Sequence, residues 1–264
     1  MKYKCLSIGG FDSSGGAGIQ ADLKTFSATG CYGMTVLTAL PVQNTCGVKN
    51  CYDIPLKCIE EQLDAIFDDI IPDAIKIGML FSSEIINLVT SFLTIKASGV
   101  PIVLDPVMVA KSGDHLLQDS AVEALKTKLI PIATLITPNL PEAQTLIAGN
   151  YTKKALAEKL LDLGCGAVLL KGGHDNSNTS DDLFLSATDT ELLSAKRILS
   201  NNTHGTGCTL SAAIASFIAQ GATPLEACRK AKVYLSGALF AATNEQLGKG
   251  HGPVHHFYHL WQYI

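Results

Sequence analysis

The chain has 264 residues, of which 47% are hydrophobic, and a formal net charge of -4. No run of basic residues is longer than two and no stretch of eighteen apolar residues occurs, which argues against a nucleic-acid-binding protein and against a membrane span. The length and the lack of linkers or repeats predict one domain over residues 1–264, and a start without a leader-like segment predicts a cytoplasmic location.

Apolar runs bounded by glycine or proline alternate with segments of helical period, which predicts βα units around a mostly parallel sheet. We expect strands at residues 5–9, 34–40, 74–77, 102–104, 133–136 and 167–171. The covering helices are expected at residues 19–28, 56–70, 83–96, 120–129 and 153–163. A short antiparallel pair at 182–185 and 192–195 should precede two helices at 207–220 and 224–244. The predicted fold class is therefore α/β, with helices on both faces of the sheet and an antiparallel edge.

Polar and glycine-rich segments follow the predicted strands. They occupy residues 9–18, 41–45, 78–80, 105–108, 137–139 and 171–174. Ligands of open parallel sheets bind outside the carboxyl ends of the strands. The sequence therefore predicts one ligand site at this edge of the sheet.

The first of these loops contains residues 16–21 (GAGIQA), which match the G-x-G-x-x-A pattern of dinucleotide-binding folds. The match is weak because several loop residues separate the strand from the first glycine, and no acidic residue ends the second strand. Two other interpretations stay open. Either the glycines only allow a turn, or a bare backbone lets a small flat ligand approach, with Asp12 or Asp22 as a polar contact.

A second glycine loop, residues 204–209 (HGTGCT), precedes a segment of small and apolar residues that favours a helix. The first N–H groups of that helix lack intrahelical partners, and the helix dipole adds positive potential there. Gly205, Thr206 and Gly207 are thus predicted to bind an anion, as phosphoryl transfer requires. No G-x-x-x-x-G-K-[ST] motif occurs, which excludes a P-loop NTPase.

Cys208 lies at the start of this predicted helix, where the dipole and open amides favour thiolate over thiol. Its position alone leaves three interpretations open: a structural cysteine, a general base or a covalent nucleophile. The other seven cysteines are expected to be small, reduced core residues. A structural zinc site is a weaker alternative, since no pair has C-x-x-C spacing.

Three further side chains at the strand ends suit metal and phosphate binding. Asp105 and the N-x-x-E pair of Asn139 and Glu142 offer oxygen ligands for Mg²⁺, although a turn residue and a helix N-terminal acid are the plain alternatives. Lys171 closes the apolar run 167–170, so its ammonium is expected either to neutralise transferred phosphate charge or to remain a solvated strand-end lysine.

Several of these segments together resemble one known family. They are residues 10–25 (GFDSSGGAGIQADLKT), 43–45 (QNT), 76–80 (KIGML), 105–113 (DPVMVAKSG), 137–139 (TPN) with Glu142, 171–174 (KGGH), 204–213 (HGTGCTLSAA) and 252–256 (GPVHH). In this order, and over essentially the whole chain, they resemble the hydroxymethylpyrimidine/phosphomethylpyrimidine kinases of the ribokinase-like superfamily.

The resemblance implies ATP- and Mg²⁺-dependent phosphorylation of 4-amino-5-hydroxymethyl-2-methylpyrimidine and then of its monophosphate, for thiamine biosynthesis. It also implies a homodimer and a ribokinase-like three-layer sandwich. Gln43 would read the pyrimidine edge, because an amide offers a donor and an acceptor side by side. The remaining roles implied are a pocket wall from Gly10, Asp22, Met79 and Val107, an anion hole at 205–208, Cys208 as the base, and Asp105 and Glu142 on the magnesium side.

Two other functions compete with this interpretation. A pyridoxal or pyridoxine kinase of the same fold shares the G-x-G-C loop and the D-P-V-M segment, but residues 43–45 favour the aminopyrimidine. A non-catalytic nucleotide- or vitamin-binding protein would keep the anion loop without needing Lys171 or Cys208.

Overall fold

A computed structural model describes residues 2–108, 119–173 and 178–261. Residues 109–113 of the DPVMVAKSG segment and His174 lie outside these ranges. The described strands are β1 (Lys4–Gly10), β2 (Tyr32–Asn44), β3 (Gly47–Asp53), β4 (Ala74–Ile77), β5 (Ile102–Leu104), β6 (Leu135–Ile136), β7 (Ala167–Leu170), β8 (Thr179–Ser186) and β9 (Thr190–Lys196).

All nine strands form one sheet in the order β3-β2-β1-β4-β5-β6-β7-β8-β9. The six central strands, β2 to β7 in this order, run parallel, whereas β3 at one edge and β8 and β9 at the other are antiparallel. The predicted α/β class with a mostly parallel sheet and an antiparallel edge is confirmed. The second antiparallel edge, β3, was not predicted, because its sequence GVKNCYD has no buried face to give an apolar alternation.

The helices are α1 (Gly18–Ala28), α2 (Leu56–Phe67), α3 (Ser83–Lys96), α4 (Asp119–Ala124), α5 (Leu140–Leu146), α6 (Lys153–Leu161), α7 (Thr206–Ala219) and α8 (Pro224–Ala241). Buried side chains of α2 to α6 form one apolar cluster against the sheet, and those of α1, α7 and α8 form the other. Strands β4, β5 and β7 are buried along their whole length because helices cover both faces. No helix in the described ranges is long and apolar enough to cross a membrane.

The structure departs from the sequence predictions at two points. Residues 140–146, which none of the predicted helices covers, form α5, because Asn139 and Glu142 make a capping box that starts a helix too short to show a period. Of the seven cysteines expected in the core, only Cys5, Cys31, Cys165 and Cys228 are buried; Cys46 and Cys58 are exposed and Cys51 is half-buried, on or beside the solvent-facing β2–β3 hairpin.

Candidate active site

A cavity of about 610 Å³ lies along the carboxyl ends of the parallel strands. Its size is typical of a small-molecule site. Every residue predicted for the site lines it: Gly10, Asp22, Gln43, Met79, Asp105, Val107, Asn139, Glu142, Lys171, Gly205, Thr206, Gly207 and Cys208. The strand-end rule therefore brings together side chains that are far apart in the sequence.

The two glycine loops pack against each other at one wall of this cavity. The buried carboxylate of Asp12 accepts hydrogen bonds from the N–H groups of Gly16 and Ala17 and lies 2.8 Å from Nε2 of His204. Burial opposes ionisation of Asp12, but the bonds from His204, Ser14 and Ala17 hold its pKa well below the usual range. The carboxylate is thus the charged centre of the contact between the loops.

The close approach of these loops explains their glycines. Gly205 adopts φ +75°, and a Cβ there would overlap the carbonyl of Gly16. Gly18 has φ +57°, and a Cβ there would overlap the carbonyl of Gly10. The geometry favours glycines that serve backbone packing, and it gives no support to a dinucleotide site at 16–21.

Helix α7 begins at Thr206, with Gly205 in the left-handed N-cap position. The amide of Thr209 is the first to bond within the helix, to the carbonyl of Gly205 at 2.8 Å. Of the amides before it, that of Thr206 bonds the carbonyl of Thr203 at 3.4 Å, whereas those of Gly207 and Cys208 have no helical carbonyl to bond, which is the arrangement of an anion site. A Cβ on Gly207 would lie 3.3 Å from Oδ2 of Asp105 and 3.5 Å from Nζ of Lys171, so the loop opens directly onto these two side chains.

Lys171 and Asp105 form an ion pair in the cavity. Nζ of Lys171 lies 2.8 Å from Oδ1 of Asp105 and 3.9 Å from Oε2 of Glu142. Burial works against the charge of Asp105, but Lys171 and Lys76 nevertheless lower its pKa. Burial raises the pKa of Glu142 to about 7, with the charge of Asp105 adding to the effect and Lys171 opposing it. A cation placed here would return Glu142 to its ionised form.

Asn139 and Glu142 also have a plain structural role. Oδ1 of Asn139 accepts from the N–H of Glu142 at 2.9 Å, and Oε2 of Glu142 accepts from the N–H of Asn139 at 2.8 Å. This capping box begins α5. A helix N-terminal acid thus describes the resting geometry of Glu142, and metal binding stays a prediction.

The expectation that the helix start makes Cys208 a thiolate is wrong. Burial raises the pKa of the Cys208 thiol to about 11, and the nearby charges of Asp22 and Asp105 add to this, while Lys76 opposes it. The side chain is half-buried and lines the cavity. Desolvation therefore outweighs the helix dipole at this position.

Lys76 is a functional candidate that the sequence reasoning missed. It is 1% exposed, and its Nζ lies 2.8 Å from Oδ2 of Asp22, which also accepts from the hydroxyl of Ser7 at 2.6 Å. Burial opposes the charge of Lys76, but Asp22 and, to a lesser degree, Cys208 and Asp105 raise its pKa. The available signal was a lysine within the buried strand AIKI. Because Asp22 is already paired, its direct contact with a substrate remains a prediction.

The sequence predicted a loop at residues 41–45, but Gln43 lies near the end of β2. Its Nε2 donates to the carbonyl of Phe11 at 3.1 Å. The backbone carbonyl of Gln43 accepts from the hydroxyl of Ser13 at 2.6 Å. The side-chain oxygen and the second N–H of Gln43 are then left for a ligand edge. Beside it, a Cβ on Gly10 would lie 3.1 Å from Sδ of Met79, so the pocket wall is tight there.

The cavity has further lining residues that the sequence did not reveal. They are Ala195, Arg197, Ile198, Leu235 and Leu239, together with the buried ion pair of Asp182 and Lys232. These residues belong to β8, β9 and α8 and to the segment after β9. The mixture of apolar walls and fixed charge suits a ligand with a flat base and a phosphate chain.

The cavity lies at the carboxyl edge of a mostly parallel sheet. It combines an anion loop, a lysine–aspartate pair and a wall that can bind the edge of a flat polar ring. This fold and this site define a ribokinase-like small-molecule kinase. The family model of phosphomethylpyrimidine kinase matches residues 12–255, and the chain belongs to this family.

Relatives agree with this assignment over nearly the whole chain. The hydroxymethylpyrimidine/phosphomethylpyrimidine kinase of Salmonella typhimurium is 47% identical over 266 residues, which cover 99% of this chain and 100% of that protein. The crystal structure of phosphomethylpyrimidine kinase from Clostridium difficile is 42% identical and superposes with a TM-score of 0.80, covering 90% of this chain and 100% of that one.

A kinase for another vitamin has a similar structure. The pyridoxal kinase of Staphylococcus aureus, in complex with AMP-PCP and pyridoxal, is 34% identical, with a TM-score of 0.88 and coverage of 98% of this chain and 95% of that one. The fold is thus common to kinases of different ring-bearing acceptors, and the acceptor has to be argued from the site.

Proposed function

We propose that the protein transfers phosphate from ATP to 4-amino-5-hydroxymethyl-2-methylpyrimidine and then to the monophosphate, giving the diphosphate used in thiamine biosynthesis. The observation that carries the proposal is the opening of the anion loop onto Lys171 and Asp105 within the cavity that also contains Gln43. Family membership supports the reaction, and Gln43 supports the acceptor. Its free amide oxygen and N–H match a ring nitrogen beside an amino group.

In the first transfer, the acceptor hydroxyl attacks the γ-phosphorus, the bond from phosphorus to the bridging oxygen of ADP breaks, and the hydroxyl proton passes to the thiolate form of Cys208, which becomes the thiol. The amides of Gly207 and Cys208 and the ammonium of Lys171 stabilise the charge on the migrating group. Lys76 lies close enough to lower the thiol pKa and so helps Cys208 act as a base. In the second transfer, the phosphate of the monophosphate is the nucleophile.

Magnesium would be held by Asp105 and Glu142 together with the phosphates of the nucleotide. The oxygen donors fit this ion, which keeps several waters and needs only one or two carboxylates. Consistent with such a partial protein site, the described residues contain no cluster of three or more His, Cys, Asp or Glu that could hold a metal by itself. When bound, Mg²⁺ supplies charge neutralisation on the phosphates.

The reaction is tested by measuring ADP release from Mg-ATP with the free pyrimidine, with its monophosphate and with neither. We expect ADP release only in the presence of an acceptor, and abolition of that release by EDTA. Binding of ATP without acceptor-dependent ADP would instead identify a nucleotide- or vitamin-binding protein.

Pyridoxal phosphorylation is the second candidate activity. The likeness to the pyridoxal kinase of Staphylococcus aureus over 98% of this chain favours it. Both reactions would use the anion loop and Lys171. Only the part of the cavity around Gln43, where the acceptor ring would bind, then discriminates between pyridoxal and the pyrimidine. We expect pyridoxal to be the poorer acceptor.

We further propose a homodimer that works in the cytoplasm. Strand β3 forms one edge of the sheet, and Val42 and Tyr52 on this hairpin are 44% and 58% exposed, as expected of a surface that pairs with a second copy. All eight cysteines are free thiols, which suits a reducing compartment. Light scattering at several protein concentrations tests the dimer, and cell fractionation tests the location.

A further inference from the structure

A buried ion pair between Asp182 on β8 and Lys232 on α8 lines the same cavity as Lys171. We propose that Asp182, held by Lys232, is a positioning residue that fixes the backbone directly after Lys171. The inference rests on the proposed kinase reaction and adds a residue to it. It concerns the link from Lys232 through Asp182 to Gly172.

The contacts of Asp182 define this link. Oδ1 of Asp182 accepts from the backbone N–H of Gly172 at 2.8 Å, and Oδ2 lies 2.6 Å from Nζ of Lys232. Nζ of Lys232 also donates to the carbonyl of Ser180 at 2.5 Å. The carboxylate is 4% exposed, so the three groups form a closed arrangement inside the protein.

A second set of contacts holds the backbone of residues 171–173. Arg197 donates to the carbonyl of Gly173 at 3.0 Å. A Cβ on Gly172 would overlap the carbonyl of Asp181, so the backbone here runs against β8 with no space to move towards it. On the other side, the N–H of Lys171 donates to the carbonyl of Pro138 at 2.9 Å. Lys171 is thus held on both sides, and Asp182 supplies the downstream bond.

A purely stabilising role is a poor explanation for this ion pair. Removing two charges from water costs several kcal/mol, and apolar side chains of similar volume often stabilise a fold equally well. A carboxylate is required only if one oxygen serves the ammonium while the other serves the amide of Gly172. Because Asp182 serves both groups, we infer that it fixes the position of Lys171. The ammonium of Lys171 must contact both Asp105 and the migrating phosphate.

Asp182→Asn tests the proposal, because asparagine has one side-chain oxygen and cannot serve both Lys232 and Gly172. We expect kcat to fall by about tenfold or more, as a small displacement of a catalytic group produces, while KM for the pyrimidine stays within about twofold. Adding Lys232→Met to this variant frees the asparagine oxygen for Gly172, and kcat should recover most of the loss. If Asp182→Asn does not fold, Asp182→Glu replaces it, with the same expected loss of kcat.

Asp181→Asn is the matched control, since this neighbouring carboxylate accepts hydrogen bonds from the hydroxyls of Thr179 and Ser194 and does not line the cavity. It should leave kcat unchanged. An unchanged kcat in Asp182→Asn, or a double variant no better than Asp182→Asn, would overturn the positioning role. Inactive wild-type protein in the same assay would instead contradict the proposed reaction, so the two failures are distinguishable.

Discussion

Nε2 of His204 lies 2.8 Å from the buried carboxylate of Asp12, and this contact joins two glycine loops that are 192 residues apart. Asp12 also accepts from the backbone of its own loop, so one carboxylate sets both the acceptor side and the anion loop of the cavity. The arrangement explains why the sequence has a histidine directly before Gly205. It holds the start of α7 against the loop that follows β1.

Asp12→Asn should loosen this junction. The neutral amide accepts more weakly from the loop amides and loses its charge-assisted bond to His204. We expect kcat to fall by about tenfold, because the anion loop is displaced relative to Lys171, and steady-state kinetics with Mg-ATP measure it. Lys24→Met is the control, since Lys24 bonds the carbonyl of Gly15 from outside the cavity. Equal kinetics in Asp12→Asn and the wild type would exclude this role.

Gly207→Ala separates chemistry from stability. Alanine suits the first turn of a helix, so we expect no loss in the free energy of unfolding. Its Cβ would enter the space between the anion loop and the Asp105–Lys171 pair, so kcat should drop by about tenfold or more.

Gly205→Ala gives the opposite pattern. Its left-handed backbone costs an alanine about 1–2 kcal/mol, and the added Cβ overlaps Gly16. Urea unfolding should therefore report a loss in Gly205→Ala but none in Gly207→Ala. A stable, fully active Gly207→Ala variant would contradict the anion site.

Cys208→Ala should affect the two phosphorylations unequally. The hydroxyl of the free pyrimidine needs a base, so kcat for it should fall by about 10²–10⁴-fold. The phosphate of the monophosphate is already ionised near neutral pH, since its second pKa is about 6, so its kcat should fall much less. Separate assays with each acceptor measure the ratio. Equal losses for both acceptors would show that Cys208 does not act as a base.

The pH dependence gives a second test of Cys208. Burial raises its thiol pKa to about 11, so the thiolate fraction increases tenfold per pH unit over the neutral and mildly alkaline range. We expect kcat/KM for the free pyrimidine to increase with pH in the wild type and to lose this increase in Cys208→Ala. Cys208→Asp should move the increase to lower pH, because a carboxyl ionises more readily.

The buried His256 should lower the free energy of unfolding in acid. Burial lowers its pKa to about 3, with Nε2 3.1 Å from the hydroxyl of Thr209. The unfolded chain therefore binds the proton first, near pH 6.5, and stability falls by about 1.4 kcal/mol per pH unit as the pH drops from there towards 3. His256→Gln cannot take up this proton, so its urea-unfolding free energy should change less between pH 7 and pH 5. Parallel losses in both proteins would exclude His256 as the cause.

Gln43→Leu should raise KM for the pyrimidine by about tenfold or more with a smaller change in kcat, because it removes a contact made already in the ground state. KM for ATP is the internal control and should not change. Gln62 on α2, whose amide bonds the backbone of Leu37, offers an outside comparison as Gln62→Leu. An unchanged pyrimidine KM in Gln43→Leu would move the recognition of the ring to other residues.

Much of the site followed from the sequence because it depends on one topological rule. The predicted strands at 74–77 and 102–104 coincide with β4 and β5, whose continuous burial makes them plain apolar runs. Once the strands were assigned, the loops at their carboxyl ends had to meet, and all predicted residues line the cavity. The roles of those residues and the single-domain assignment stay predictions.

Other features depend on contacts that no local pattern contains. Asp182 and Lys232 are 50 residues apart in the sequence and pair only when α8 packs beside β8. The pKa of Cys208 follows from burial by the surrounding fold, which exceeded the local effect of the helix start. In the sequence, Lys76 only interrupts an apolar strand. Its burial is explained by its ion pair with Asp22, which the sequence does not show.

The identity of the phosphate acceptor depends least on any local sequence pattern, and it can be measured most directly. Purified protein with Mg-ATP is given the free aminopyrimidine and pyridoxal in equal amounts, and the phosphorylated products are identified by mass spectrometry over time. We expect the pyrimidine monophosphate to form first and the diphosphate after it, with little pyridoxal phosphate. Preferential formation of pyridoxal phosphate would contradict the assignment of Gln43 and of the acceptor.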